Sequence, residues 1–211
     1  MATQIETQPR LYFAYGSNLS LTQMARRCPT STYHALAVLK GWKWVIGPRG
    51  YANVVKVSSE PKSGKITLKD GEKCEEGDEV QDEVYGLLYV LDEEDEVALD
   101  IAEGVPDCYV KMMLGVEVLG RDDRGEGGDG DGGVGEATGK EVEVLVYVDV
   151  ARTGVGTCKE EYVARMNRGI KDAVDRGMPQ SYVDQVLRKW VRDEDVPRDG
   201  EVEDPFFPGG K

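Results

Sequence analysis

Val84 to Leu91, VYGLLYVL, is the stretch that most restricts what this chain can fold into. It is nearly continuous apolar sequence of strand length, which predicts a strand buried on both faces. Such a strand needs cover on either side, and the rest of the chain supplies it. Leu11 to Tyr15 reads as a short buried strand ending in Gly16-Ser17-Asn18. Tyr33 to Leu39 and Trp42 to Ile46 read as further strands, Ala52 to Val57 is a further apolar run, and Tyr109 to Leu119 and Glu141 to Val150 read as two more strands. Helices are predicted from the N-cap Ser20 to about Arg27, from Asp92 to Glu103, from Lys159 to Asp175 and from Pro179 to Val191, with Arg176-Gly177-Met178 as the last turn. In the second helix Asp92 is the N-cap, acids fill the first turn, and Val97, Ala98, Ile101 and Ala102 form the expected apolar stripe. Gly104 is placed to stop it. Mixed strands with helices define an α+β domain.

Two segments break this pattern. Glu60 to Gln81 is rich in Lys, Gly, Glu and Asp and reads as a surface loop. Gly120 to Lys140 is a Gly- and Asp-rich low-complexity insert with too little apolar surface to order itself. The expected organisation is a flexible N-terminus at 1–10, one domain over 11–195 carrying the 60–81 loop and the 120–140 insert, and a tail at 196–211.

Several functions are disfavoured. Forty acidic residues against 26 basic ones give a net charge of -14, which repels phosphate backbones and anionic lipid. Neither nucleic acid nor membrane is expected as a partner. No stretch approaches the ~18 apolar residues of a membrane span, and Met1 to Arg10 has no signal pattern, so a cytoplasmic location is expected. Cys28, Cys74, Cys108 and Cys158 are scattered and read as free thiols. The single histidine, His34, lies within a strand-like run and reads as structural, which weighs against Ser-His-Asp, Cys-His and multi-ligand zinc sites. The Asp-Gly repeats of the insert miss the register of a calcium loop. There is no phosphate-binding Gly-Lys-Ser/Thr loop, and Gly16-Ser17 is not part of a nucleophile elbow. No metal or cofactor is expected, and proton chemistry is left chiefly to carboxylates and tyrosines.

Two features stand out. At Tyr12 to Leu19, YFAYGSNL, a buried strand runs directly into a Gly-Ser-Asn turn and a helix start. Gly16 allows a sharp bend and close ligand approach, and amides at such a turn suit a carboxylate or oxyanion. An ordinary capped turn would look the same. The second is Glu103, at the C-terminal end of its helix. Its charge there opposes the dipole by roughly 0.3–1 kcal/mol, which favours a raised pKa and a role in general acid/base work. A solvated surface glutamate would also tolerate that cost.

Taken together, these residues resemble the γ-glutamylcyclotransferase-like family. Tyr12 to Leu19 is similar to the family's Tyr-Gly-Ser-Asn loop, Gly50 to Val54 to its next core segment, and Asp82 to Tyr89 to the strand leading to the catalytic helix. Leu99 to Val105, followed by Tyr109, resembles the stretch with the catalytic glutamate and a strand tyrosine. Tyr162 and Gly177-Met178-Pro179 through Tyr182 match the helical end, so the resemblance spans about Leu11 to Trp190. It implies a mixed β-barrel surrounded by helices. The implied reaction converts a γ-glutamyl amino acid or amine to 5-oxoproline plus free amine, with Glu103 as general acid/base. Tyr15, Gly16, Ser17, Asn18 and Leu19, with Tyr109 and Tyr162, are then the expected substrate-binding residues. The implied partner is a small γ-glutamyl substrate; a homodimer is left open. Tailoring enzymes of natural-product metabolism share these signatures, and a non-catalytic binding relative is the alternative class.

Overall fold

The structure, a computed structural model, describes residues 10–57, 82–119 and 137–195. The 60–81 loop, all of the insert before 137, the tail and Cys74 lie outside the described residues. The elements are β1 (Arg10–Ala14), α1 (Leu21–Arg27), β2 (Thr32–Lys40), β3 (Trp42–Ile46), β4 (Ala52–Lys56), β5 (Glu83–Leu91), α2 (Glu93–Glu103), β6 (Val110–Leu119), β7 (Ala137–Val148), α3 (Glu160–Val174) and α4 (Gln180–Gln185).

Five strands close a barrel in the order β1-β5-β2-β6-β7, and β3 and β4 form a separate hairpin. The apolar run Val84 to Leu91 is β5, flanked on both edges by β1 and β2. Closure comes from a parallel contact of β1 with β7 at Tyr12 and Leu145; every other pairing is antiparallel. Gly86 has a steric reason to interrupt β5. A Cβ there would meet the Ala14 carbonyl oxygen at 2.6 Å and the Phe13 ring at 2.6 Å, so its absence lets Phe13 lie across the strand. The hairpin is fixed to the barrel by a reciprocal pair. Asn53 Nδ2 donates to the Asp149 carbonyl at 3.0 Å, and the Asp149 amide donates to Asn53 Oδ1 at 3.0 Å.

Three expectations change. The apolar stripe of α2 does not face inward: Val97 is 56% and Ile101 70% exposed, whereas Asp95 and Leu99 are buried. The reason is polar docking. The Asp95 carboxylate accepts from the Thr30 amide at 3.1 Å and the Thr30 hydroxyl at 2.7 Å, and this sets the rotation of the helix. The predicted single helix from Pro179 splits into α4 and a 3-10 turn at Leu187–Lys189. The strand expected from Glu141 begins at Ala137, inside the Gly-rich stretch, because β6 continues to Leu119 and pairs with it there.

Candidate functional site

Asp95, Leu99 and Glu103 are spaced i, i+4, i+8, so they share one face of α2. Docking Asp95 and Leu99 therefore carries Glu103 inward. Gly104, with φ of 66°, caps the helix in the left-handed region and ends it at that residue. Glu103 opens into a pocket whose wall also includes Tyr15, Gly16, Ser17, Asn18, Tyr109 and Tyr162. Of the sequence-predicted site residues, Leu19 alone is not in that wall. Its side chain is fully buried, and its amide donates to the Gly16 carbonyl at 2.9 Å.

The turn after β1 is a 3-10 turn, Ser17–Leu19, and this alters the expected cradle. The Ser17 amide donates to Tyr162 Oη at 3.0 Å, and the Ser20 amide to the Ser17 carbonyl at 3.0 Å. Of the amides from Gly16 to Leu19, those of Ser17 and Leu19 are thus taken, by Tyr162 and by the turn itself. The Ser17 hydroxyl accepts from Gln23 Nε2 at 2.8 Å and Arg165 Nη1 at 3.4 Å.

Asn18 is the hub of the polar wall. Its Nδ2 donates to Tyr12 Oη at 2.9 Å and to Glu103 Oε1 at 3.0 Å. Its Oδ1 accepts from Gln23 Nε2 at 2.8 Å and Arg27 Nη1 at 3.2 Å. All four hydrogen-bonding positions of the amide are filled, which fixes its orientation. Arg27 also lies 3.4 Å from Glu103 Oε1, with its side chain 4% exposed against 17% for Glu103. Gln23 and Arg27 were missed from sequence. Their i, i+4 spacing on α1, directly after the loop, is the signal that would have found them.

The tyrosines divide by role. Tyr15 donates its hydroxyl to the Tyr147 carbonyl at 2.6 Å, and Tyr109 donates to the Ala52 carbonyl at 2.8 Å. Tyr162 instead receives: the Ser17 amide donates to its oxygen at 3.0 Å. Its own O–H is not used in that contact and can be given to the pocket. Burial, reinforced by the charge of Glu103, pushes the phenols of Tyr12, Tyr15 and Tyr109 well above their usual value. Burial pushes Tyr162 up to about 12. These hydroxyls stay protonated at neutral pH, which leaves Glu103 as the proton acceptor among the pocket's oxygen acids. Exposed His34 occupies a bulge in β2 and is not in the pocket wall. Among the described residues no cluster of His, Cys, Asp and Glu is arranged to hold a metal, and no helix is long and apolar enough to cross a membrane. Cys28, Cys108 and Cys158 form no disulfide.

Comparison with solved structures identifies the architecture. The chain is similar to a γ-glutamyl cyclotransferase (TM-score 0.61, 20% identity, 94% of this chain and 96% of that one). It is equally similar to an uncharacterized protein from Homo sapiens (TM-score 0.61, 20% identity, 95% and 96%). YkqA from Bacillus subtilis matches at TM-score 0.57 and 17% identity over 87% of this chain and 54% of its own. At these identities the likeness is one of fold, and the fold is the γ-glutamylcyclotransferase-like barrel. No family model matches the chain, and no curated protein matches it in sequence.

Proposed function

We propose that this chain is a γ-glutamylcyclotransferase-type enzyme that converts a γ-glutamyl amino acid or amine to 5-oxoproline and the free amine. The observation that carries the reading is Glu103: a partly open carboxylate, held through Oε1 by Asn18 and Arg27, among tyrosines that stay protonated. The barrel it shares with a γ-glutamyl cyclotransferase supports it.

In this reading the substrate's α-amine attacks its own γ-carbonyl carbon. The new C–N bond closes a five-membered ring, so positioning supplies much of the acceleration. Glu103 takes a proton from the attacking amine and returns it to the leaving nitrogen as the old C–N bond breaks. No water is consumed. The Tyr162 O–H is the donor suited to the oxygen that becomes anionic, with the Ser17 amide holding the phenol in place. The test is 5-oxoproline release from γ-glutamyl-alanine, followed by mass. Glu103→Gln is expected to lower kcat by about 10²–10⁴-fold with the melting temperature retained. Turnover unchanged in that variant would remove Glu103 from the mechanism.

A further inference from the structure

The turn between β3 and β4 places Arg49 in the pocket wall, although nothing in the proposed proton transfers uses it. Its guanidinium is held on three sides. Nε donates to Asp149 Oδ2 at 3.1 Å, Nη2 donates to the Cys108 carbonyl at 3.3 Å, and its face lies 4.5 Å from the centre of the Tyr109 ring. No described residue hydrogen-bonds Nη1. Asp149 does not neutralise this group alone, because both its oxygens also receive Arg152 Nη1, at 3.0 and 2.9 Å. One negative charge is shared by two guanidiniums, and a net positive charge remains at the pocket rim. This is a local cationic site on a protein of net charge -14.

Its position decides what it can serve. Cys108 and Tyr109, which hold Arg49, stand just beyond Glu103 in the chain, and Cys108 packs against Gly104, where an added Cβ would lie 3.1 Å from its Sγ. Arg49 therefore adjoins the Glu103 end of the pocket, where the leaving nitrogen is to be protonated. Arg165 also lines the pocket, but it is turned to Ser17, the Tyr162 ring and Glu161. A fixed guanidinium with an unengaged edge matches a carboxylate geometrically and electrostatically.

We infer that Arg49 is a specificity residue that binds a carboxylate on the leaving group, so that the substrates are γ-glutamyl α-amino acids rather than γ-glutamyl amines. The inference rests on the cyclotransferase reading. It is tested by comparing γ-glutamyl-alanine with γ-glutamyl-alaninamide, which differ only in that carboxylate. The wild-type chain is expected to favour the acid about tenfold or more in kcat/KM. Arg49→Gln is expected to lower kcat/KM for the acid about tenfold or more beyond any loss for the amide, with Arg49→Lys between the two. Equal wild-type rates on both, or equal losses on both in Arg49→Gln, overturn it. If Arg49→Gln does not fold, the wild-type preference and Arg49→Lys decide. If neither compound yields 5-oxoproline, the cyclotransferase reading fails, and thermal shift decides the subsite. Greater stabilisation by the acid than by the amide supports the subsite, and equal stabilisation refutes it.

Discussion

Asn18 is the residue on which the candidate site turns. It donates to Glu103 and Tyr12 while accepting from Gln23 and Arg27, so it links the loop, α1 and α2 through one amide. Asn18→Asp keeps the shape but replaces the donor facing Glu103 with a second carboxylate oxygen. Two carboxylates about 3 Å apart resist double ionisation. The acid-side limb of the pH–rate profile is therefore expected to move up by a unit or more, with activity at neutral pH reduced; an unmoved limb would show that the contact does not govern the proton shuttle. Arg27→Met removes the positive charge 3.4 Å from Glu103 and is expected to move the same limb in the same direction. From sequence, Asn18 was expected among the substrate-binding residues of the loop, not as the link between elements. Its pairings were not legible, because Gln23 and Arg27 come from a helix that begins after the turn, Glu103 from a helix far along the chain and Tyr12 from the strand before it.

At the scale of elements, β3, β5 and α2 with its Asp92 and Gly104 caps could be read closely, since apolar runs and caps act locally. The orientation of α2 could not. Its apolar residues suggested one face, but Thr30, distant in sequence, captures Asp95 and selects another. Nor could the occupation of the Ser17 amide be read, because the hydroxyl that takes it arrives on α3. That helix packs on the loop through Gly169, where a Cβ would lie 2.9 Å from Leu19 Cβ and 3.1 Å from the Ser20 amide nitrogen. Gly169→Ala gains roughly 1 kcal/mol of helix propensity but incurs an overpacking penalty of about 1–3 kcal/mol. A melting temperature lower by a few degrees, with weakened turnover as Tyr162 shifts, is the expected result by scanning fluorimetry and the 5-oxoproline assay. A stabilised, fully active variant would show that the contact yields freely.

Across the whole molecule, the interior stores many neutral phenols. Burial raises Tyr12, Tyr15, Tyr89, Tyr109, Tyr147, Tyr162 and Tyr182 above the ordinary value of 10.0. The sign follows from proton uptake. Below pH 10 both states hold these protons and stability is unaffected; above it the unfolded chain releases them first, so the folded state loses ground. Each such phenol contributes a loss of about 1.4 kcal/mol per pH unit until its folded pKa is reached. Stability is expected to be level with respect to these groups up to about pH 10 and to fall steeply beyond. Absorbance of ionised tyrosine should rise together with unfolding. Gradual ionisation in the folded state would contradict it.

The β6–β7 ladder runs from Val110 and Val148 beside the pocket to Leu119 and Ala137, nine residues and roughly 30 Å along the strand. Leu119 and Ala137 therefore stand at the opposite end of this ladder from Tyr109 and Tyr147, which line the pocket. A reporter domain grafted at that junction is therefore expected to leave 5-oxoproline release unchanged.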